Sequence, residues 1–173
     1  MQPIVRTPVI DDASGIAYVH VKTWQEAYQG IVPDGYLNQL SVQVKTENWK
    51  SHIKNNPSSI LVLEADVGIV GFCCFGPCRD PEFNKAHTWE IYSIYVLPEE
   101  WHKGYGSVLW QEVVRRAQKN AILNLYLWVF EANKDARRFY ESRGMINRAT
   151  DQPKCFVKEG ISVPEIRYSM VLP

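Results

Sequence analysis

The segment from residue 89 to residue 120 constrains the fold most, because it joins a strand, a glycine-bearing loop and a long helix. The run Trp89–Leu97 is strongly β-prone and stops at Pro98, since proline cannot donate to a strand ladder. A helix is predicted over Gly104–Asn120, with one apolar face and one charged face. A strand and a helix connected in this way are typical of a layered α/β domain.

Around this segment the sequence predicts further strands and helices. The predicted strands cover residues 4–9, 59–65, 69–75, 122–130, 145–149 and 165–172. The predicted helices cover about 12–28, a short stretch after Pro33, 42–53 and a stretch after Asn133, whereas 151–164 is predicted as a mixed loop. This order indicates a mixed sheet with helices on both faces, and the length of 173 residues suits one domain, 1–173.

Composition excludes several classes of protein. Lysine and arginine together number 19, as do aspartate and glutamate, so the basic excess typical of general nucleic-acid binders is missing. The longest apolar stretch, Gly68–Phe75, is too short to span a bilayer. The first residues lack the charged-then-apolar profile of a signal peptide. We therefore expect a cytoplasmic protein with no nucleic-acid partner and no membrane partner.

The four cysteines give little support for a metal site. Cys73, Cys74, Cys78 and Cys155 form no Cys-x-x-Cys pair, which is the commonest zinc or redox spacing. A site built from Cys74, Cys78 and His87 is an alternative, but its spacing fits no known finger pattern. We expect no metal, and we interpret the cysteines as buried or free thiols.

The loop between Pro98 and Ser107 indicates phosphate binding. Gly104 and Gly106 let the backbone turn tightly and approach a ligand. The helix that follows points its free N–H groups and its positive dipole end into the loop. A simple strand-to-helix turn is the alternative. Leu109 stands where a Rossmann fingerprint needs its third glycine, and no P-loop motif occurs.

Two runs with the right spacing resemble the GNAT superfamily of acetyl-CoA-dependent N-acetyltransferases. The first is Glu90–Gly106, a strand followed by Lys-Gly-Tyr-Gly, and the second is Leu127–Met145, which contains Asn-x-x-Ala and Phe-Tyr. The opening run at 23–33 is also similar to a recurrent start in bacterial members. Trp101 departs from the usual glutamine or arginine, and we interpret it as a surface or rim aromatic.

The resemblance implies a mixed, mostly antiparallel sheet of about seven strands with helices on both faces. It also implies acetyl-CoA as co-substrate, with the pantetheine arm along the strand and the pyrophosphate on the loop amides. Asn133 would bind the pantetheine arm, cap the helix, or do both. The implied cofactor-binding residues are Ile94, Tyr95, Val96, His102, Lys103, Gly104, Tyr105, Gly106, Ser107, Asn133 and Ala136.

Two residues are catalytic candidates under this resemblance. Tyr140 would lend a proton to the departing thiolate, whose thiol has a pKa of about 8.5, although a core tyrosine is the alternative. Glu90 would take a proton from the amine, although ordered water or a solvent-facing strand glutamate are alternatives. Three aromatic residues are candidates for walls of the acceptor site, with core packing as the alternative: Trp24, Tyr28 and Tyr92.

The sequence thus predicts direct acetyl transfer to a primary amine of a small molecule, peptide or protein. We expect a ternary complex, because no cysteine lies in either motif to serve as a nucleophile. One alternative is a GNAT-like module that binds acyl-CoA without catalysis and acts as a sensor. Another is an enzyme that uses a longer acyl-CoA. The expected assembly is a monomer or a homodimer.

Overall fold

A computed structural model describes residues 3–148 and 154–173. In these two ranges, eight strands form one sheet. They are β1 (Ile4–Arg6), β2 (Ile60–Ala65), β3 (Gly68–Pro77), β4 (Thr88–Val96), β5 (Asn124–Phe130), β6 (Ile146–Asn147), β7 (Lys154–Lys158) and β8 (Ile161–Val171). The helices are α1 (Ala13–Ala27), α2 (Asp34–Asn38), α3 (Val42–Asn55), α4 (Tyr105–Lys119) and α5 (Lys134–Glu141).

The sheet runs in the order β1-β2-β3-β4-β5-β8-β6, and β7 pairs with β8 outside this path. Each pairing is antiparallel except that of β4 with β5, which is parallel. The mixed, mostly antiparallel sheet predicted from the sequence is therefore confirmed.

Neighbouring residues of β3 show that helices cover both faces of this sheet. A Cβ atom built on Gly71 would lie 3.3 Å from Leu109 Cδ1 of α4. The ring of Phe72 lies 5.0 Å from that of Trp49 on α3 and 6.0 Å from that of His20 on α1. Because consecutive strand residues point to opposite faces, α4 covers one face while α1 and α3 cover the other.

The parallel junction of β4 and β5 opens into a wedge. Their register joins Thr88 to Asn124, Trp89 to Leu125 and Glu90 to Tyr126. Beyond these three pairs, both strands continue without pairing to one another in the described residues, as far as Val96 and Phe130. We call this gap the β4–β5 wedge, and it leaves one edge of β4 open in the middle of the sheet.

The structure corrects the predicted loop at 151–164. Residues 154–158 form β7, and β8 begins at Ile161 rather than at residue 165, whereas 151–153 lie outside the described residues. In β7 the side chains are exposed except that of Phe156, which is partly buried, so the strand lacks the apolar alternation that would reveal it. Pro164 lies inside β8 and argued against a strand there.

Two predicted strand boundaries also change. The first strand ends at Arg6 instead of residue 9, and Pro8 lies just beyond it. The strand predicted at 122–130 begins at Asn124, and Leu123 is 53% exposed. The strand predicted at 145–149 covers Ile146–Asn147, and its last predicted residue lies outside the described part of the chain.

Candidate active site at the β4–β5 wedge

The loop between β4 and α4 presents a row of free amides. His102 and Gly104 have positive φ angles of 62° and 87°, and left-handed residues of this kind occur in the backbone nests that bind anions. Within the described residues, the five amides from His102 to Gly106 donate to no acceptor. They lie at the positive end of α4, so this loop is built to receive an anion.

Gly106 is required by packing as well as by the loop. A Cβ atom built at this position would lie 3.0 Å from Cε2 of Phe139 on α5, which is too close for an undistorted contact. The absence of a side chain thus lets the first turn of α4 lie directly against α5. Any other residue here would separate the two helices or displace the Phe139 ring.

Arg143 adds a positive charge beside this loop. Its guanidinium lies 3.8 Å from the centroid of the Phe139 ring, and its Nη2 donates to Ser107 Oγ in the first turn of α4. Among the described residues no carboxylate pairs with Arg143, and its Nε has no partner. Burial lowers its pKa. Arg143 was not predicted as a site residue, because its partner Ser107 lies 36 positions away in the sequence and no local motif connects the two.

Trp101 fastens the loop to the end of β4. Its Nε1 donates to the Val96 carbonyl at 2.7 Å, and Thr23 Oγ1 of α1 donates to the same oxygen at 3.0 Å. Trp101 is partly buried and packs on the main core, so of the two predicted positions, surface or rim, the structure favours the rim. The indole therefore holds the loop against the end of β4.

The open edge of β4 exposes alternate backbone groups. The Leu97 amide donates to the Val70 carbonyl of β3 at 2.9 Å. By the alternation of an antiparallel ladder, the backbone groups of Tyr95 also face β3, whereas those of Ile94 and Val96 face the wedge. Since the Val96 carbonyl is already occupied, Ile94 offers the freest backbone groups to a ligand in the wedge.

Asn133 and Ala136 meet at the start of α5. The Asn133 side-chain oxygen accepts a hydrogen bond of 3.1 Å from the Ala136 amide. The predicted helix cap is therefore confirmed. The side-chain NH2 of Asn133 has no partner among the described residues and remains able to donate to a ligand.

Tyr140 projects from α5 into the protein with a free hydroxyl. The residue is 8% exposed, and its hydroxyl makes no hydrogen bond within the described ranges. Burial raises its pKa, and electrostatic interaction with Cys73 of β3 and Tyr95 of β4 adds to the shift. The hydroxyl therefore stays protonated at neutral pH and is free to donate a hydrogen bond.

Trp24 and Tyr28 of α1 converge on Tyr95. Trp24 Nε1 donates to Tyr95 Oη at 3.1 Å, and the hydroxyls of Tyr28 and Tyr95 are 3.3 Å apart. The rings of Phe130 and Phe156 pack on this group, at 4.7 Å from Tyr28 and 5.7 Å from Trp24. We call these five residues the aromatic cluster. The structure thus brings together two of the three predicted acceptor-site residues.

Glu90 is buried and fully paired. Its carboxylate accepts hydrogen bonds from Arg79 Nε at 2.9 Å, from Arg79 Nη2 at 2.5 Å and from Tyr126 Oη at 2.6 Å. Burial alone would raise its pKa, but these bonds outweigh burial and leave the pKa lowered. With the residue 1% exposed, the alternative of a solvent-facing glutamate is wrong.

Tyr92 belongs to this ion-pair network and not to the aromatic cluster. Its hydroxyl donates to the Pro77 carbonyl at 2.7 Å, and the Arg79 guanidinium lies 4.3 Å from its ring centroid. The third predicted acceptor-site residue is therefore placed on the Arg79 side of β4.

The described ranges contain no group of three or more His, Cys, Asp and Glu side chains that could hold a metal ion. Cys74, Cys78 and His87, the alternative considered above, form no such group. No helix in residues 3–148 or 154–173 is long and apolar enough to cross a membrane.

Comparison with known proteins gives consistent results. Residues 21–145 match the acetyltransferase (GNAT) family. The uncharacterized N-acetyltransferase YuaI of Bacillus subtilis is 32% identical over 130 residues, which cover 75% of this chain and 72% of that protein. The spermidine N(1)-acetyltransferase of Thermoplasma acidophilum is 26% identical over 152 residues, covering 85% of this chain and 90% of that protein.

Solved structures share the fold. The PaiA N-acetyltransferase of Thermoplasma acidophilum, determined in complex with coenzyme A, has a TM-score of 0.76 at 23% identity and covers 96% of this chain and 98% of its own. The putative acetyltransferase YncA of Salmonella typhimurium was determined with its cofactor acetyl-CoA. It has a TM-score of 0.73 at 22% identity, and the match covers 100% of this chain and 95% of that chain.

Proposed function

Since the chain belongs to the acetyltransferase (GNAT) family and is an N-acetyltransferase, we propose that it transfers the acetyl group of acetyl-CoA directly to a primary amine. The observation that carries this proposal is the β4–β5 wedge. The free amides of His102–Gly106 lie at one end of it, and the buried hydroxyl of Tyr140, which has no hydrogen-bond partner among the described residues, interacts electrostatically with Tyr95 of β4.

In the proposed complex, the cofactor lies with its pyrophosphate at the loop before α4 and its pantetheine arm in the β4–β5 wedge. The five loop amides receive the pyrophosphate, and Arg143 beside Ser107 supplies a counter-charge. The pantetheine arm enters the wedge and pairs with the backbone of Ile94, while the free NH2 of Asn133 donates to it. The structural neighbours that were determined with coenzyme A or acetyl-CoA support acetyl-CoA as the cofactor.

Tyr140 acts on the leaving group. The amine lone pair attacks the thioester carbonyl carbon and forms a C–N bond, and the C–S bond then breaks. The departing thiolate, whose thiol has a pKa of about 8.5, takes the Tyr140 proton. The new amide nitrogen loses its extra proton, which returns to the tyrosinate directly or through water. The products are an N-acetyl amine and CoA with a free thiol.

The cysteines support direct transfer and not an acyl-enzyme. Burial raises the pKa of Cys73 well above its usual range, and burial raises the pKa of Cys74 to about 12. Thiols of this kind are poor nucleophiles because the thiolate is the reactive form. Cys78 is buried, and Cys155 is exposed on β7.

Glu90 has surroundings that favour a positioning role. A carboxylate with a lowered pKa and four hydrogen bonds is a weak base, and its lone pairs are already engaged. We propose that it fixes Arg79 and Tyr126 along one wall of the acceptor cleft. The proton acceptor for the amine must then be sought elsewhere.

Tyr140→Phe tests the proposal. We expect kcat to fall by about 10²–10⁴-fold, the usual contribution of a general acid, while CoA affinity and the melting temperature stay close to those of the wild type. Steady-state thiol release with a panel of primary amines, including spermidine and peptides, measures the rate. Tyr18→Phe is the control, because Tyr18 lies exposed on α1.

Two results would contradict different parts of the proposal. A folded Tyr140→Phe variant with wild-type kcat would remove the acid assignment and leave the cofactor site intact. A wild-type protein that binds CoA but releases no thiol with any amine would indicate a binding or sensor module instead of an enzyme.

A further inference from the structure

A second carboxylate faces the acceptor side of the sheet. Glu165 of β8 lies directly opposite Phe130 of β5, and residues opposite one another on adjacent strands share a face. The Phe130 ring lies 4.7 Å from the ring of Tyr28. Glu165 therefore faces the side of the sheet that carries the aromatic cluster, across the wedge from β4.

The Glu165 carboxylate is largely buried but has few hydrogen-bonding partners. Its side chain is 15% exposed, and its ion pair is a loose one, 3.9 Å from Lys154 Nζ, which exceeds hydrogen-bond distance. No described residue donates a hydrogen bond to it. Buried carboxylates are normally paired and hydrogen-bonded, as Glu90 is, so this group retains the capacity to accept hydrogen bonds from a cation.

The charges around Glu165 come from several elements. Burial is the largest influence on the pKa of Glu165 and raises it. Lys154 of β7 and Arg79 of the loop after β3 lower this pKa, whereas Glu90 of β4 raises it. The net result is a raised pKa. In turn Glu165 contributes to the raised pKa values of Tyr28 and Tyr95, behind the larger effect of burial. The cleft therefore holds two carboxylates with opposite shifts, an arrangement that assigns them different roles.

We propose that Glu165 binds the ammonium group of an aliphatic amine acceptor and takes its proton before attack. The inference rests on the acetyl transfer proposed above. One N–H bond of the ammonium breaks, an O–H bond forms on Glu165, and the freed lone pair attacks the thioester. Glu165 later releases the proton to solvent. The aromatic cluster beside it suits the alkyl chain and positive charge of such an acceptor.

Lys154 illustrates the chemistry that this site attracts. Its side chain is itself a primary ammonium on an alkyl chain, and it lies 4.8 Å from the Trp128 ring centroid as well as 3.9 Å from Glu165. An acceptor must compete with it for the carboxylate. Removal of the Lys154 charge should therefore strengthen acceptor binding.

The experiment compares two acceptors that differ in basicity. For an aliphatic amine, which is protonated at neutral pH, Glu165→Gln should lower kcat/KM by about 10²-fold. The deficit should shrink as the pH rises toward the amine's own pKa of about 10.4. For an arylamine, which is already neutral at pH 7, the same variant should match the wild type. CoA affinity should not change in either case.

Controls separate this role from a structural one. Glu26→Gln replaces an exposed carboxylate on α1 and should leave both acceptors unaffected, whereas Lys154→Gln should lower KM for the aliphatic amine alone. Equal losses for both acceptors in Glu165→Gln, or a wild-type pH profile in that variant, would overturn the proposal while acetyl transfer stands. Should Glu165→Gln fail to fold, an unchanged KM in Lys154→Gln would overturn it.

Discussion

The two sides of the β4–β5 wedge use different atoms of the chain. On the cofactor side, the candidate ligand groups are backbone amides of His102–Gly106, held by the geometry of a strand, a loop and a helix. On the acceptor side they are side chains from α1, β5 and the β7–β8 hairpin. A backbone site depends on glycine spacing within one segment, whereas a side-chain site can change with each substitution. The first can therefore be shared across a family while the second varies.

Gly106→Asp should have the largest effect, because it obstructs the backbone site itself. The new side chain meets Phe139 and places a negative charge beside the proposed pyrophosphate site. Like charges in an interface cost several kcal/mol, so we expect CoA affinity to fall by about 10²-fold or more by calorimetry. Gly35→Asp is the control, since a Cβ atom there meets nothing within 4 Å. Unchanged affinity in the Gly106 variant would move the cofactor away from this loop.

Glu90→Gln tests how firmly side chains are fixed on the acceptor side. Because the folded-state pKa of Glu90 is lowered, its stabilising contribution is present above its unfolded pKa and disappears as the pH falls through the folded pKa. Arg79 is 64% exposed, so we expect a loss of about 1–3 kcal/mol in the free energy of unfolding at pH 7.

Urea denaturation at several pH values measures this loss. The gap between wild type and Glu90→Gln should narrow below about pH 4. Glu47→Gln, which removes an exposed pair with Lys50, should cost much less. A gap that persists in acid would show that the Glu90 carboxylate is not the source of the difference.

Arg143→Met should have the smallest effect, because it removes a side chain from a site built of backbone amides. A hydrogen bond to a charged group contributes about 1.5–3 kcal/mol, and the amides remain, so we expect CoA affinity to fall by about tenfold. The loss should diminish at high salt. Arg138→Met is the control, since Arg138 is exposed and paired with Asp135. A loss as large as that of Gly106→Asp would contradict the backbone description of this site.

The difference between the two sides also explains what the sequence could predict. The strand, loop and helix from β4 to α4 were predicted within one or two residues, because their signals are local. The environment of Glu90 was not, because it depends on Arg79 and Tyr126, 11 and 36 positions away. Without these partners, a strand glutamate can be interpreted equally as a base or as a surface residue.

Glu165 shows the same limit more clearly. It was predicted as the first residue of a strand, directly after a loop predicted to end at Pro164, and its face is defined by register with Phe130. Register is set by pairing between distant strands and by the hairpin with β7. The sequence contains the residue, but its relation to the aromatic cluster arises from the folded sheet.

The wedge also has a consequence for the lifetime of the protein. Among the described residues, strand β4 lacks a neighbour on one side beyond Glu90, so a ligand that pairs with it as proposed would serve as a removable strand. Ligand that binds only the native state stabilises it by RT ln(1 + [L]/Kd), or about 2.7 kcal/mol at a hundredfold excess over Kd. Local unfolding of the strands at the β4–β5 wedge then becomes rarer as the cofactor concentration rises. Susceptibility to proteolysis would thereby follow the supply of cofactor, making abundance of the protein responsive to the metabolite that it consumes.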